Sequence, residues 1–156
     1  QQKPQARLLL CGQGENFEQS QQEAKALGIA EMVLFCGNVN RPEDYLQAMD
    51  VFVMTSLFEG LPIVGVEAQA SGLPCIFADT ITQEVKILPQ TQFLALTQPD
   101  EAWAERIVQT KPMERSLAGH CVESAGFAEE NLDRQVCALY GMEEHHFANI
   151  SGRDHL

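Results

Sequence analysis

Ser56-Leu57-Phe58-Glu59-Gly60-Leu61-Pro62-Ile63-Val64-Gly65-Val66-Glu67-Ala68-Gln69-Ala70-Ser71-Gly72-Leu73-Pro74 holds a strand end, a glycine-bearing turn, a proline-started helix and the entry to the next strand. Asp50 leads into the apolar run Val51–Met54, which has the length of a strand. Gly60 gives the turn after it a residue that bends sharply and comes close to a ligand. Pro62 then opens a helix that runs to Ser71 and stops at Gly72. The first amides of a helix have no partner inside it, and the positive end of the helix adds its field, so such a start attracts anions. Glu67 falls in the second turn of that helix, where one carboxylate can accept hydrogen bonds from both hydroxyls of a vicinal diol.

The rest of the chain repeats this alternation. Ala6–Cys11 and Met32–Cys36 are short apolar runs without alternation, each stopped by glycine, as expected of strands buried on both faces. Between them Asn16 is placed to cap a helix through Ala24 and Leu27. Pro42–Met49 is a short helix, Pro74–Ala78 a fourth strand, and Asp79–Pro89 a loop with a helical turn near Gln83–Ile87. Phe93–Leu96 is a fifth strand, and helices follow from Pro99, near Glu114–Ser124 and near Glu129–Tyr140. Buried strands alternating with helices specify an α/β fold, a Rossmann-like parallel sheet with helices on both faces. The domain is expected over residues 1–140, with 141–156 as a C-terminal tail. Ligands of such sheets sit beyond the carboxyl ends of the strands. Three loops lie there: Gly12–Glu15, Gly37–Arg41 and Thr55–Pro62.

Composition narrows the function. The 156 residues are 45% hydrophobic and carry a net charge of −12, so the chain is globular and repels nucleic acid and anionic lipid. No apolar run approaches the roughly 20 residues that a membrane span needs, and a cytoplasmic location with at most peripheral membrane association is expected. The five cysteines form no C-x-x-C pair, and those in apolar runs are expected to be reduced and structural. The four histidines have no metal-ligand spacing, and no metal is expected. There is no G-x-x-x-x-G-K-[ST] phosphate loop, which argues against an ATPase or kinase. Gly12-Gln13-Gly14 lacks the third glycine of the dinucleotide fingerprint, with Phe17 in its place, so a dinucleotide oxidoreductase is disfavoured. Two glutamates eight positions apart arise by chance in any chain with 22 acidic residues, and the Glu59/Glu67 spacing alone does not decide a function.

The whole string is more specific. Asp50 to Ser56, then Glu59-Gly60-Leu61-Pro62, then Glu67-Ala68-Gln69-Ala70-Ser71-Gly72-Leu73-Pro74 closely resembles the donor-site signature of family-4 glycosyltransferases of the GT-B architecture. That family carries E-G-[LM]-P followed by E-A-x-A-x-G-x-P. The resemblance covers residues 6 to 110 well, and the wording is most like the bacterial capsular and exopolysaccharide branch.

The resemblance implies a retaining glycosyltransferase with a nucleotide-sugar donor, most commonly a UDP-sugar, and no metal or other cofactor. It places Glu67 on the ribose hydroxyls and Glu59 beside the transferred sugar. Backbone amides of Phe58, Gly60 and Leu61 would meet sugar hydroxyls, and Pro62 with Ile63 would set the helix start at the diphosphate. Gly12 and Gly14 would lie close to the donor phosphates, with Asn38 and Val39 bordering the nucleobase. It also implies what this sequence does not supply. The family's arginine and lysine on the diphosphate belong to a first strand-helix unit that would precede Gln1, and a glycan or lipid-linked acceptor is bound mainly by an N-terminal domain.

The chain therefore looks like part of a donor domain, inactive alone and of low stability. In the family's strand order the missing strand is central, so the strands at Arg7–Cys11 and Val51–Met54 are expected to leave a gap between them, to pair abnormally, or to be bridged by a neighbouring chain. Thr80 and Thr82 stand near a glycine pair common in the family, so that loop is expected to behave differently. The alternative is a non-catalytic nucleotide-binding or regulatory module of the same fold.

Overall fold

A computed structural model of the protein describes residues 5–128. Within them the strands are β1 (Leu8–Cys11), β2 (Val33–Gly37), β3 (Phe52–Met54), β4 (Cys75–Ala78) and β5 (Gln92–Leu94). The helices are α1 (Phe17–Ala26), α2 (Pro42–Gln47), α3 (Ile63–Ala70), α4 (Asp100–Gln109) and α5 (Arg115–Val122). Every strand pairing is parallel, as the alternation of strand and helix requires. The expected helix near Glu129–Tyr140 and the tail at 141–156 lie outside the described residues.

Most strands are shorter than expected. β1 starts at Leu8 rather than Ala6, and β5 ends at Leu94 rather than Leu96. Pro62 precedes α3 as its extended N-cap (φ −76°, ψ 106°) instead of lying within it. Asn16 stands at the N-cap of α1, but its side chain makes no capping bond; its carbonyl accepts from the Ser20 amide and hydroxyl. The helical turn expected after β4 is a short 3-10 turn at Gln83–Val85, with the Glu84 amide donating to Thr82 Oγ1 at 3.4 Å.

The ladders form two sheets, β1-β2 and β3-β4-β5, with no ladder from β1 to β3 among the described residues. This is the interruption expected from the family's strand order, and Gln5 and Ala6 contribute no strand there. The two sheets differ sharply in burial. All four residues of β4 are buried, and Phe77 forms ring contacts with Phe52 at 6.1 Å and Phe93 at 5.8 Å, one from each neighbouring strand. Cys75 lies in this core, and burial pushes its thiol up to about 12.

β1 and β2 were expected to be buried on both faces, and they are not. Leu8 is 51% exposed and Leu34 47%. Cys11 is exposed and Cys36 half-buried, so these two thiols do not behave as core hydrophobes. A pair of strands has two edges and, with the Phe17 ring of α1 on Phe35 as its one ring contact among the described residues, too little neighbouring structure to bury four apolar side-chain rows.

The α3 helix lies close on β4. A β-carbon at Gly65 would come within 2.8 Å of the Phe77 ring and 3.1 Å of a Val85 methyl. Gln69, Val66 and Ala68 are buried on the same helix. Behind it, Gly72 has φ +76° and lies under the Met113 carbonyl, where any side chain would collide. The Met113 amide donates to the Gly72 carbonyl at 3.0 Å, which brings α5 against α3. Trp103 on α4 packs on the edge of this core, as the sequence suggested.

Two measurements follow from this packing. Alanine in place of Gly65 gains about 1 kcal/mol of helix propensity but overpacks the Phe77 contact at about 1–3 kcal/mol. G65A should therefore lower the urea midpoint of the full-length protein, and an unchanged or raised midpoint would contradict the close approach. Hydrogen exchange should release the β1 and β2 amides, such as Leu9 and Phe35, well before those of Ile76 and Phe77; equal protection would show that the two sheets share one stability.

Candidate functional site

The turn that follows β3 and the start of α3 bring one group of predicted residues together. Phe58, Gly60, Leu61 and Ile63 are exposed, Glu59 is half-buried and Pro62 is buried beneath them. Phe58 is 86% exposed, an unusual exposure for a phenylalanine in a tight turn. Gly60 does not adopt a left-handed φ, and a β-carbon there would meet nothing within 4 Å. Its neighbourhood is open space, which leaves the backbone approachable.

At the helix start, the Gly65 and Val66 amides donate to the Pro62 carbonyl at 2.9 and 3.4 Å. The amides of Ile63 and Val64 find no acceptor among the described residues, and no side chain caps them. They are the first amides of α3, which have no carbonyl inside the helix to bond. Glu67 is exposed on α3 and its carboxylate makes no hydrogen bond or ion pair among the described residues. Glu59 differs: it accepts from Ser56 Oγ at 3.0 Å, which fixes its carboxylate beside the turn.

The segment after β4 closes against this turn. Thr80 Oγ1 donates to the Ser56 carbonyl at 2.7 Å, and Glu59 pairs with Ile81 in an isolated parallel bridge. Ile81 is 2% exposed, so the bridge is anchored in the core. The sequence flagged Thr80 and Thr82 as departures. Here Thr80 ties the loop to the Glu59 turn, and Thr82 holds the 3-10 turn that follows.

A second group gathers at the ends of β1 and β2. The Gly12 amide donates to the Gly37 carbonyl at 2.7 Å, which joins the two loops. Gly12 has φ +129° and Gly37 φ +62°, conformations that call for glycine. Gly14 and Asn38 are exposed and Val39 is half-buried. Among the described residues, no ladder or hydrogen bond connects this group to the Glu59–Glu67 group. The two halves predicted for one site thus rest on two separate sheets.

Positive charge is scarce. Arg41 is bound to Glu43 at 3.0 Å and Asp44 at 3.2 Å, and that pairing helps hold the Glu43 carboxyl below its ordinary value, after hydrogen bonding at its own backbone. Arg115 donates to the Gln47 carbonyl at the opposite end of the sheet. Among the described residues, no group of three or more histidine, cysteine, aspartate or glutamate side chains converges as a metal site. No helix there is long and apolar enough to cross a membrane. One feature that the sequence did not single out is Gln69, a buried amide with every hydrogen-bonding position filled. A polar residue on the inward side of an otherwise apolar helix was its only signal.

Comparison with known proteins identifies the family and the fold. The family model for "Glycosyl transferases group 1" matches residues 1–119. The putative glycosyltransferase EpsF of Bacillus subtilis is 45% identical over 103 residues, which is 65% of this chain and 27% of EpsF. The Vi polysaccharide biosynthesis protein VipC/TviE of Salmonella typhi is 35% identical over 137 residues, 83% of this chain and 23% of that protein. The chain thus spans about a quarter of the length of these relatives. In structure it matches Anabaena HepE, solved in complex with UDP, with a TM-score of 0.70 at 18% identity over 89% of this chain and 42% of HepE. It matches the lipopolysaccharide outer core galactosyltransferase WaaB with a TM-score of 0.68 at 21% identity, over 86% of this chain and 40% of WaaB. At those identities the likeness shows the fold, part of a GT-B glycosyltransferase. With the family model matching most of its length, the chain belongs to the group 1 glycosyl transferases.

Proposed function

We propose that this chain is the donor-binding part of a retaining glycosyltransferase that moves a hexosyl group from a nucleotide-sugar to a polysaccharide or glycolipid acceptor. The observation that carries the proposal is the free donor pair of Ile63 and Val64 at the start of α3, with the unpartnered Glu67 carboxylate one turn further on. A diphosphate suits the amides and the helix dipole; a ribose diol suits Glu67. Glu59, already held by Ser56, orients the transferred sugar. A UDP-sugar is the donor that the resemblance favours, and the UDP bound in HepE supports it.

In this proposal Gly12, Gly14, Asn38 and Val39 approach the phosphates and base from the β1-β2 side. The edges of β1 and β3 that carry no ladder among the described residues then flank a further parallel strand, whose loop supplies the cations for the leaving diphosphate. The acceptor site lies in the part of such proteins that this chain does not match. The protein works in the cytoplasm, where nucleotide-sugars are made, with peripheral membrane contact at most. The transfer needs no metal, because amides and cations stabilise the leaving group.

Calorimetric titration of UDP into the full-length protein tests the assignment. Each hydrogen bond to a charged group contributes about 1.5–3 kcal/mol, so E67A should weaken UDP binding by at least about tenfold. Unchanged affinity would remove Glu67 from the ribose. UDP binding without sugar transfer or donor hydrolysis would favour a non-catalytic nucleotide-binding module of the same fold.

A further inference from the structure

Gln69 is 0% exposed and sits on the inward side of α3, among side chains of the apolar core. Its Oε1 accepts three hydrogen bonds, from the Ile87 amide at 3.0 Å, the Leu88 amide at 2.9 Å and Thr91 Oγ1 at 2.7 Å. Its Nε2 donates to the Gly65 carbonyl at 3.0 Å and the Val85 carbonyl at 2.7 Å. Four of the five bonds go to one segment, Val85–Thr91. A helix needs none of these bonds for its own stability. A leucine would fill the site with less demand for partners, since a buried amide is costly unless fully satisfied.

The bonds instead fix a strap. The segment from Asp79 to Thr91 leaves the carboxyl end of β4 and returns to β5. Its first part holds the Glu59 turn, through Thr80 Oγ1 on the Ser56 carbonyl and the Glu59–Ile81 bridge. Its second part is clamped to α3 by Gln69. The strap therefore spans from the middle of the helix to the turn that precedes it, and sets the position of one against the other.

We propose that Gln69 is a positioning residue for the donor site, which acts through the strap to hold the Ser56–Pro62 turn in register with the start of α3. This rests on the donor-binding assignment above. Gln69 touches neither donor nor acceptor, and its effect reaches the ligand through the amides and the Glu59 carboxylate that the turn presents.

The chemistry of the pocket supplies a specific test in the full-length protein. In Q69E, Oε1 keeps its three donors, but the second oxygen faces the Gly65 and Val85 carbonyls. Ionised, it repels both; protonated, it donates to one. Burial and the two carbonyls disfavour the charged form more than the three donors favour it, so the new carboxyl titrates above the usual range; the clamp keeps four of its five bonds at low pH and opens as pH rises. UDP affinity of Q69E relative to wild type should be near one at about pH 5 and fall at least about tenfold by about pH 8. Hydrogen exchange at Ile87 and Leu88, taken relative to wild type at the same pH, should quicken over the same range.

T91V removes one bond and leaves Gln69 in place. It should fold as wild type does, weaken UDP binding by about two- to fivefold and quicken the same two amides. A wild-type protein that binds no UDP would sink the donor assignment itself, and the positioning role with it. Wild-type binding of UDP, with faster exchange at Ile87 and Leu88 in T91V and Q69E but unchanged UDP affinity in both, would leave the donor assignment standing and overturn the positioning role alone.

Discussion

Gly65 lets α3 lie so close to β4 that a β-carbon would stand 2.8 Å from the Phe77 ring, and the arrangement of the site depends on that contact. Phe77 is fully buried between Phe52 and Phe93, so the ring has nowhere to retreat. The helix is set by this wall at its first turn, and by the Gln69 amide two residues beyond Glu67. Its first amides consequently project at the carboxyl end of β3, where the turn presents Glu59. A helix standing an ångström further out would leave Gln69 short of Val85 and Leu88. The strap would then lose its anchor.

The same contact explains the division of the molecule. The sheet that bears α3 has a buried centre, rings packed across three strands, and α5 behind it through the Gly72–Met113 contact. Among the described residues the β1-β2 pair has much less: Val33 is buried and Phe35 meets the Phe17 ring at 5.7 Å, but leucines that read as core stand exposed. Glycine serves the two sheets differently. At Gly65 it permits close packing, while at Gly12 and Gly37 it permits a left-handed backbone in loops joined by one hydrogen bond.

Much of this was legible in the residues. The order of strands and helices, the placement of Glu59 and Glu67 around a proline-started helix, and the break between the first and third strands all follow from local pattern or from the family's wording. Strand burial was not legible for β1 and β2, because an apolar run records what a strand is suited to contact and not what lies beside it. The role of Gln69 was invisible for a related reason. Its five partners come from Gly65, Val85, Ile87, Leu88 and Thr91, most of them some twenty positions away, and only the folded loop brings them to one amide.

A structure of the full-length protein with bound UDP tests the central claim most directly. The account predicts the diphosphate at the amides of Ile63 and Val64, with both ribose hydroxyls within hydrogen-bonding distance of the Glu67 carboxylate. UDP seated elsewhere, for example in the cleft of about 410 Å³ between β3 and α4 that Val53, Leu96, Trp103 and Ile107 line, would contradict it.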